Sequence, residues 1–337
     1  MKFYQTKLAL SSLSIYRSLL EDAVINKFVE LINCLCAKKD AAAFLNLYND
    51  FFFTLVSSDT SSSFSKYIID QIIFDDNPFS RRCTKGEEYS LLANAAKRDL
   101  KSLQHMAEIS PAEIKAQAQT LYGLEESLLS ELPAWNSYSP QRAAFQDTAA
   151  ASGRKSPRDS VDNISGHQIE IKKKLYLSSD WSDCLTDLAN FYRKSGAGIF
   201  AQYYAFIWER SANSGFLKGV AFPDPVKLSD LFGYENERAE ILENTLQFLK
   251  GYPANNVLLY GNRGTGKSST VKALVNEYHS YGLRIIEVPK AHLSDFSEII
   301  RELRGRTQKF IIFVDDLTFE DSTENYTALK AVLEGGL

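Results

Sequence analysis

Long apolar runs are missing from this chain. None nears the ~20 residues that span a bilayer, so no membrane span is expected. The N-terminus, MKFYQTKLALSSLSIYRSLL, carries Lys2 and Lys7 but no long apolar core with a small-residue cleavage site, which argues against a signal peptide. Cysteine is scarce: Cys34, Cys36, Cys83 and Cys184 have neither metal-ligand spacing nor the density of a disulfide framework. Free thiols in a reducing compartment, and hence a cytoplasmic protein, are expected. The four histidines, His105, His167, His279 and His292, are scattered and suggest no metal centre. Excess positive charge is also absent. The formal charge is −4, divided as −3 over residues 1–136 and −1 over residues 137–337. Neither part has the basic balance of a duplex-binding surface, so nucleic acid is not an expected partner.

What the chain does have is apolar periodicity and one glycine-rich motif. Leu13, Tyr16, Leu20, Val24, Phe28, Leu31 and Leu35 recur at steps of three and four, a single amphipathic stripe. Further helices are expected over 40–56, 64–74 and 87–106, with a break at Asn77-Pro78. Ser110-Pro111-Ala112-Glu113 supplies a cap serine, a proline at the first helical position and a capping-box glutamate, opening a helix expected to reach Leu132. Residues 1–136 therefore read as a helical domain with no catalytic constellation. Its stripes are mostly core, and its open role is a platform for an unknown protein client. Residues 137–166, rich in Ser, Ala, Asp and Arg, have the composition of a flexible linker. Asn163-Ile164-Ser165 matches a glycosylation acceptor by chance.

Residues 167–222 read as a small helical and aromatic adaptor. Ile169, Ile171 and Leu175 suggest a short strand, and a helix over 181–194 is expected, capped by Ser179 or Asp180. The aromatic run Phe200, Tyr203, Tyr204, Phe206 and Trp208 has few basic neighbours, which favours packing over base stacking.

Residues 223–337 carry the chemistry. After a helix over 235–249, the run Val257-Leu258-Leu259-Tyr260 reads as a buried strand. Gly261-Asn262-Arg263-Gly264-Thr265-Gly266-Lys267-Ser268 then fits G-x-x-x-x-G-K-[ST], the phosphate-binding P-loop or Walker A segment, and a helix follows with Val271, Leu274, Val275 and Tyr278 on one face. The glycines permit positive φ. The N–H groups from Gly264 to Ser268, together with the helix N-terminus, would face phosphate oxygens. Lys267 would reach the β/γ-phosphates, and the Ser268 hydroxyl would ligate Mg²⁺. Candidate nucleotide contacts thus run over Gly261, Asn262, Arg263, Gly264, Thr265, Gly266, Lys267, Ser268 and Ser269. Strands expected over 283–288 and 310–314 flank a helix over 295–305, the pattern of a parallel sheet with right-handed crossovers. The second of these strands ends in Asp315-Asp316, 48 residues after Lys267, as a Walker B segment would. Asp315 would hold Mg²⁺. Asp316, with Lys267 the candidate catalytic pair, sits where a water-orienting carboxylate is wanted; Glu320 is a weaker candidate for that task.

Gly233, the P-loop and the Asp-Asp strand together resemble an AAA+ ATPase. More narrowly, LFGYENERAEILENTLQFLKGYPANNVLLYGNRGTGKSS, GLRIIEVPK, FIIFVDDLTFE and LKAVLEGG resemble an uncharacterised bacterial family that places an AAA+ nucleotide domain behind a helical N-terminal region. The close resemblance covers about residues 200–337. It implies an α/β P-loop NTPase of AAA+ type behind a mostly α-helical region. It further implies binding of ATP and Mg²⁺, hydrolysis, and self-association with an arginine finger supplied in trans; Phe232 and Gly233 would line the adenine side. The usual Asp-Glu is here Asp315-Asp316, one methylene shorter. Misplacement of an attacking water by ~1 Å costs ~100-fold. The strand that would lie between the P-loop strand and the Asp-Asp strand, with its polar sensor, is not found before Leu337; nor are the arginine finger and the lid. A fragment is the expectation, with both flanking strands exposing backbone and apolar groups. Three functions compete: an ATPase acting on a partner, a nucleotide-gated binding module with weak or no hydrolysis, and, more weakly, a DNA-associated ATPase of initiator or loader type.

Overall fold

The structure is a computed structural model and describes residues 2–37, 40–58, 63–87, 89–137, 166–212 and 214–317. The expected linker falls almost wholly outside these residues, as do Asn163 and Glu320. The chain forms two compact units, Met1–Tyr192 and Arg193–Leu337. The division falls inside the segment 167–222 read as an adaptor, and the reason is the aromatic run, which enters the sheet of the second unit.

The first unit is helical among its described residues. It contains α1 (Lys2–Ser11), α2 (Ala23–Ala37), α3 (Ala41–Ser58), α4 (Phe64–Phe74), α5 (Pro78–Lys85), α6 (Ser90–Ala107), α7 (Pro111–Tyr122), α8 (Glu126–Glu131) and α9 (Gly166–Leu177). The stripe from Leu13 to Leu35 is not one helix: a 3-10 turn, Arg17–Glu21, precedes α2. The buried carboxylate of Asp99 accounts for that break, accepting from the N–H groups of Ser14, Ile15 and Tyr16 at 2.8, 2.6 and 3.2 Å. Asn77-Pro78 is a helix start rather than only a break, because the Asn77 side chain accepts from the Ser80 N–H and caps α5. The helix from Ser110 has its expected capping box but ends early, at Gly123 with φ 63°. At the centre of the unit, Phe28, Phe51, Phe64 and Trp135 meet edge-on or tilted, with centroids 4.6–6.5 Å apart.

The strand expected near Ile169 is the helix α9. Its buried residues are Gln168, Ile171 and Leu175, spaced three and four apart, while Ile169 faces solvent. After a 3-10 turn capped by Asp180 comes α10 (Leu185–Ser195).

The second unit adds α11 (Ile199–Gln202), β1 (Ala205–Arg210), β2 (Gly215–Gly219), α12 (Glu235–Leu249), α13 (Lys267–Tyr278), β3 (Leu283–Glu287), α14 (Phe296–Leu303) and β4 (Lys309–Phe313). The sheet order is β2-β1-β3-β4, with β1, β3 and β4 parallel and β2 closing an antiparallel hairpin on β1. Side chains alternate across it. On one face Phe206, Trp208, Ile286, Phe310 and Ile312 pack with Ile299 of α14. On the other, Ala205, Leu283, Ile285, Ile311 and Phe313 pack with Val271 and Val275 of α13 and Phe248 of α12. Arg284 in β3 is buried without an acidic partner among the described residues; its guanidinium donates to the carbonyls of Ser195, Phe200, His279 and Leu283. Burial pulls its pKa down to about 10, still far above neutral, so the cation stays charged and ties Ser195 and α11 to the sheet.

One expected strand does not form. Residues 257–260 have no assigned secondary structure and pair with no strand among the described residues. Val257, Leu258 and Tyr260 are exposed, and Leu259 is the residue of this run that reaches the core. A strand exists by virtue of a hydrogen-bonded neighbour, and the described sheet ends at β4, whose five residues are all half-buried. The observed sheet is therefore mixed: β1 stands in it, and the P-loop run does not.

Candidate functional site

The loop Gly261–Gly266 leads into α13 at the C-terminal end of the sheet's parallel strands. Gly264 and Gly266 have φ of 82° and 80°. A Cβ would meet nothing within 4 Å at Gly264, and at Gly266 only Leu231 Cδ2 at 3.9 Å, so the left-handed backbone, not lack of room, demands glycine. Gly266 caps α13 without a side-chain hydrogen bond. Among the described residues, no acceptor in the chain meets the amides of Gly264, Thr265, Gly266, Lys267 and Ser268. Uncapped amides at the positive end of a helix are a site for anions.

Lys267 Nζ donates to the carbonyls of Gly261 and Asn262 at 3.1 and 2.8 Å and approaches Thr265 Oγ1 at 3.4 Å. It makes no ion pair with a described carboxylate, so its charge adds to the loop's field. Asn262 contributes its carbonyl, which also accepts from Thr265 Oγ1 at 3.0 Å. Arg263 is exposed and Ser269 half-buried on the first turn of α13.

The two halves of the sequence motif meet. Ser268 Oγ donates to Asp315 Oδ1 at 2.9 Å, across 47 residues of chain. The same oxygen accepts from the Asp316 N–H at 2.9 Å, and Asp316 has φ 50°. Both carboxylates are exposed just beyond the tip of β4. The donor set suits a Mg-triphosphate: unpaired amides and a lysine for phosphate oxygens, and a hydroxyl and a carboxylate for a hard cation.

Phe232 is 90% exposed, and Gly233 has φ 73°. The Gly233 N–H donates to Glu235 Oε1 at 3.0 Å, and its carbonyl accepts from Arg238 Nη1. Leu231, one residue earlier, lies against Gly266. The Phe232-Gly233 turn is therefore next in the chain to a contact with the glycine loop.

Residues that motif reading passed over also shape the site. Asn244 of α12 donates to the Asn255 carbonyl at 3.0 Å and accepts its N–H at 2.9 Å, fastening the start of the run into the loop. No periodicity marks such an asparagine; it is found only when the backbone it holds is seen. His279 and Tyr204 stack with centroids 4.4 Å apart beneath the far end of α13, where burial pulls the imidazole pKa below its ordinary value.

Through its C-terminal part the chain is similar to proteins of the AAA+ ATPase class. Residues 201–337 match the sequence model of a family described as "Protein of unknown function (DUF815)". Over 116 residues the chain is 32% identical to a putative 26S proteasome regulatory subunit homolog of Methanocaldococcus jannaschii, covering 31% of this chain and 31% of that protein. Over 122 residues it is 30% identical to a replication factor C large subunit of Staphylothermus marinus, covering 32% of this chain and 27% of that protein. The alignments thus span about a third of either relative's length or less. No solved structure matches the chain.

Proposed function

We propose that the second unit binds Mg-ATP in the loop 261–268 and hydrolyses it to act on a protein partner, as a P-loop NTPase of AAA+ type. The observation that carries the reading is the Ser268 hydroxyl against the Asp315 carboxylate at 2.9 Å, which joins the glycine loop to the acid-tipped strand. The amides from Gly264 to Ser268 would hold phosphate oxygens, and Lys267 would exchange its carbonyl partners for the β/γ-phosphates. Ser268 and Asp315 would hold the metal. Bound Mg²⁺ neutralises charge that develops on a transferred phosphoryl group. Asp316 is the carboxylate available to orient water, and Phe232 and Gly233 would flank the base. Self-association of this unit, with an arginine finger from a neighbouring copy, and a client taken by the helical unit belong to the same proposal.

A second reading, binding with little or no turnover, is favoured by Asp316 itself. Its side chain is shorter than glutamate, and its backbone is left-handed with the N–H tied to Asp315. Phosphate release measured beside labelled-ATP binding separates the two. Turnover that Lys267→Ala abolishes supports hydrolysis; Mg-dependent binding without turnover, gained by Asp316→Glu, supports the second reading. Absence of Mg-dependent ATP binding to the native chain would end both.

A further inference from the structure

Asn276, on the third turn of α13, has its whole side-chain amide engaged. Nδ2 donates to the carbonyls of Asp224 and Val226, both at 2.7 Å. Oδ1 accepts from the Tyr204 hydroxyl at 3.2 Å. Burial pushes that hydroxyl's pKa up to about 12, so it stays protonated and donates. The Tyr204 ring is in turn held by its stack on His279, whose Nδ1 lies 2.9 Å from the Asn276 carbonyl. A side chain fixed by so many partners transmits position well.

What it fixes is one end of the segment 224–231. The other end is Leu231, against Gly266 of the phosphate loop, and the turn Phe232-Gly233-Tyr234 follows at once. That turn is unusual: Gly233 and Tyr234 have φ of 73° and 60° in succession, and the rings of Phe232 and Tyr234 are exposed. A left-handed tyrosine is costly and persists only where neighbours over-determine it. The segment is therefore strapped along α13, fastened at Asn276 and resting on Gly266. Asn276 lies nine residues beyond Lys267, about 14 Å along the helix at its ordinary rise, too far to touch phosphate.

We propose that Asn276, oriented by Tyr204, is a positioning residue that sets the nucleobase end of the site while leaving the phosphate grip untouched. The inference rests on the proposed reading of 261–268 as a triphosphate site and of the Phe232-Gly233 turn as its base side. The phosphate donors belong to α13 and the loop before it; the 231–234 turn is held in place by the strap. Loss of the pin frees the turn and not the amides.

The test is calorimetric titration of the full chain with Mg-ATP and, separately, with Mg-tripolyphosphate, which has no base. Removal of two hydrogen bonds predicts that Asn276→Ala and the near-isosteric Asn276→Asp weaken Mg-ATP about tenfold, and that Tyr204→Phe, which keeps the stack, weakens it about threefold. Tripolyphosphate affinity stays within about twofold in all three, whereas Lys267→Ala loses both ligands. Equal weakening of both ligands would mark Asn276 as merely structural, and unchanged ATP affinity would remove it from the site; either overturns the proposal. A native chain that binds neither ligand would instead overturn the triphosphate reading, and this inference with it.

Discussion

Asp295 is the residue on which the hairpin side of the sheet depends. It is buried, accepts from Trp208 Nε1 at 3.0 Å, and meets Arg210 Nη1 at 2.5 Å. Burial alone would raise its pKa, but the indole N–H and the guanidinium outweigh it and hold the carboxyl below the usual range. The sign follows: its contribution is full above the unfolded value of about 3.9 and is lost as pH falls through the lower folded value. Asp295→Ala is expected to cost roughly 2–3 kcal/mol, because it strands a buried indole donor and a half-covered guanidinium. Urea unfolding at neutral pH reads the loss. Repeated below pH 4, the gap between variant and native should narrow; a constant gap would mean that the carboxylate's charge plays no part.

At the scale of elements, helix starts carry local stability and the sheet carries the site. The Ser110–Glu113 capping box closes in both directions, with Glu113 N–H on Ser110 Oγ at 3.3 Å and Ser110 N–H on Glu113 Oε2 at 3.0 Å. Ser110→Ala should therefore lower unfolding free energy by about 1 kcal/mol and leave nucleotide affinity unchanged, since α7 belongs to the first unit. Denaturant midpoint and ATP titration on one preparation check both halves. The helices α4 and α12 keep the bounds that their apolar spacing implied, because helical periodicity is a short-range feature. The strands were harder to read. In α9 two β-branched isoleucines at alternate positions imitate a strand, although its buried residues keep helical spacing. In β1 the aromatics Phe206 and Trp208 pack as expected, but their strand conformation comes from pairing with β3.

For the whole molecule, ligand linkage offers the most direct check. If the loop binds Mg-ATP, ligand at 100 times its dissociation constant should add about 2.7 kcal/mol to the stability of the unit that binds it. Calorimetric scans should show one part of the unfolding profile moving upward with Mg-ATP and staying in place with Lys267→Ala. A profile indifferent to ligand would contradict binding at this site. Among the described residues Lys267 has only carbonyl and hydroxyl partners, so its removal should by itself change unfolding little.

The glycine loop, the lysine and serine after it, and the paired aspartates are legible in the sequence because each is a local chemical requirement: left-handed φ, a phosphate-reaching cation, and an acid at a strand tip. Their meeting was only implied by resemblance, and a fold had to bring Ser268 to Asp315. Sheet order, the entry of β1 and β2 into that sheet, the unpaired run before the loop, and the grip of Asn244 and Asn276 were decided by tertiary structure alone. Each depends on a partner far along the chain, and neither composition nor period says which backbone group a strand edge or an asparagine amide will find.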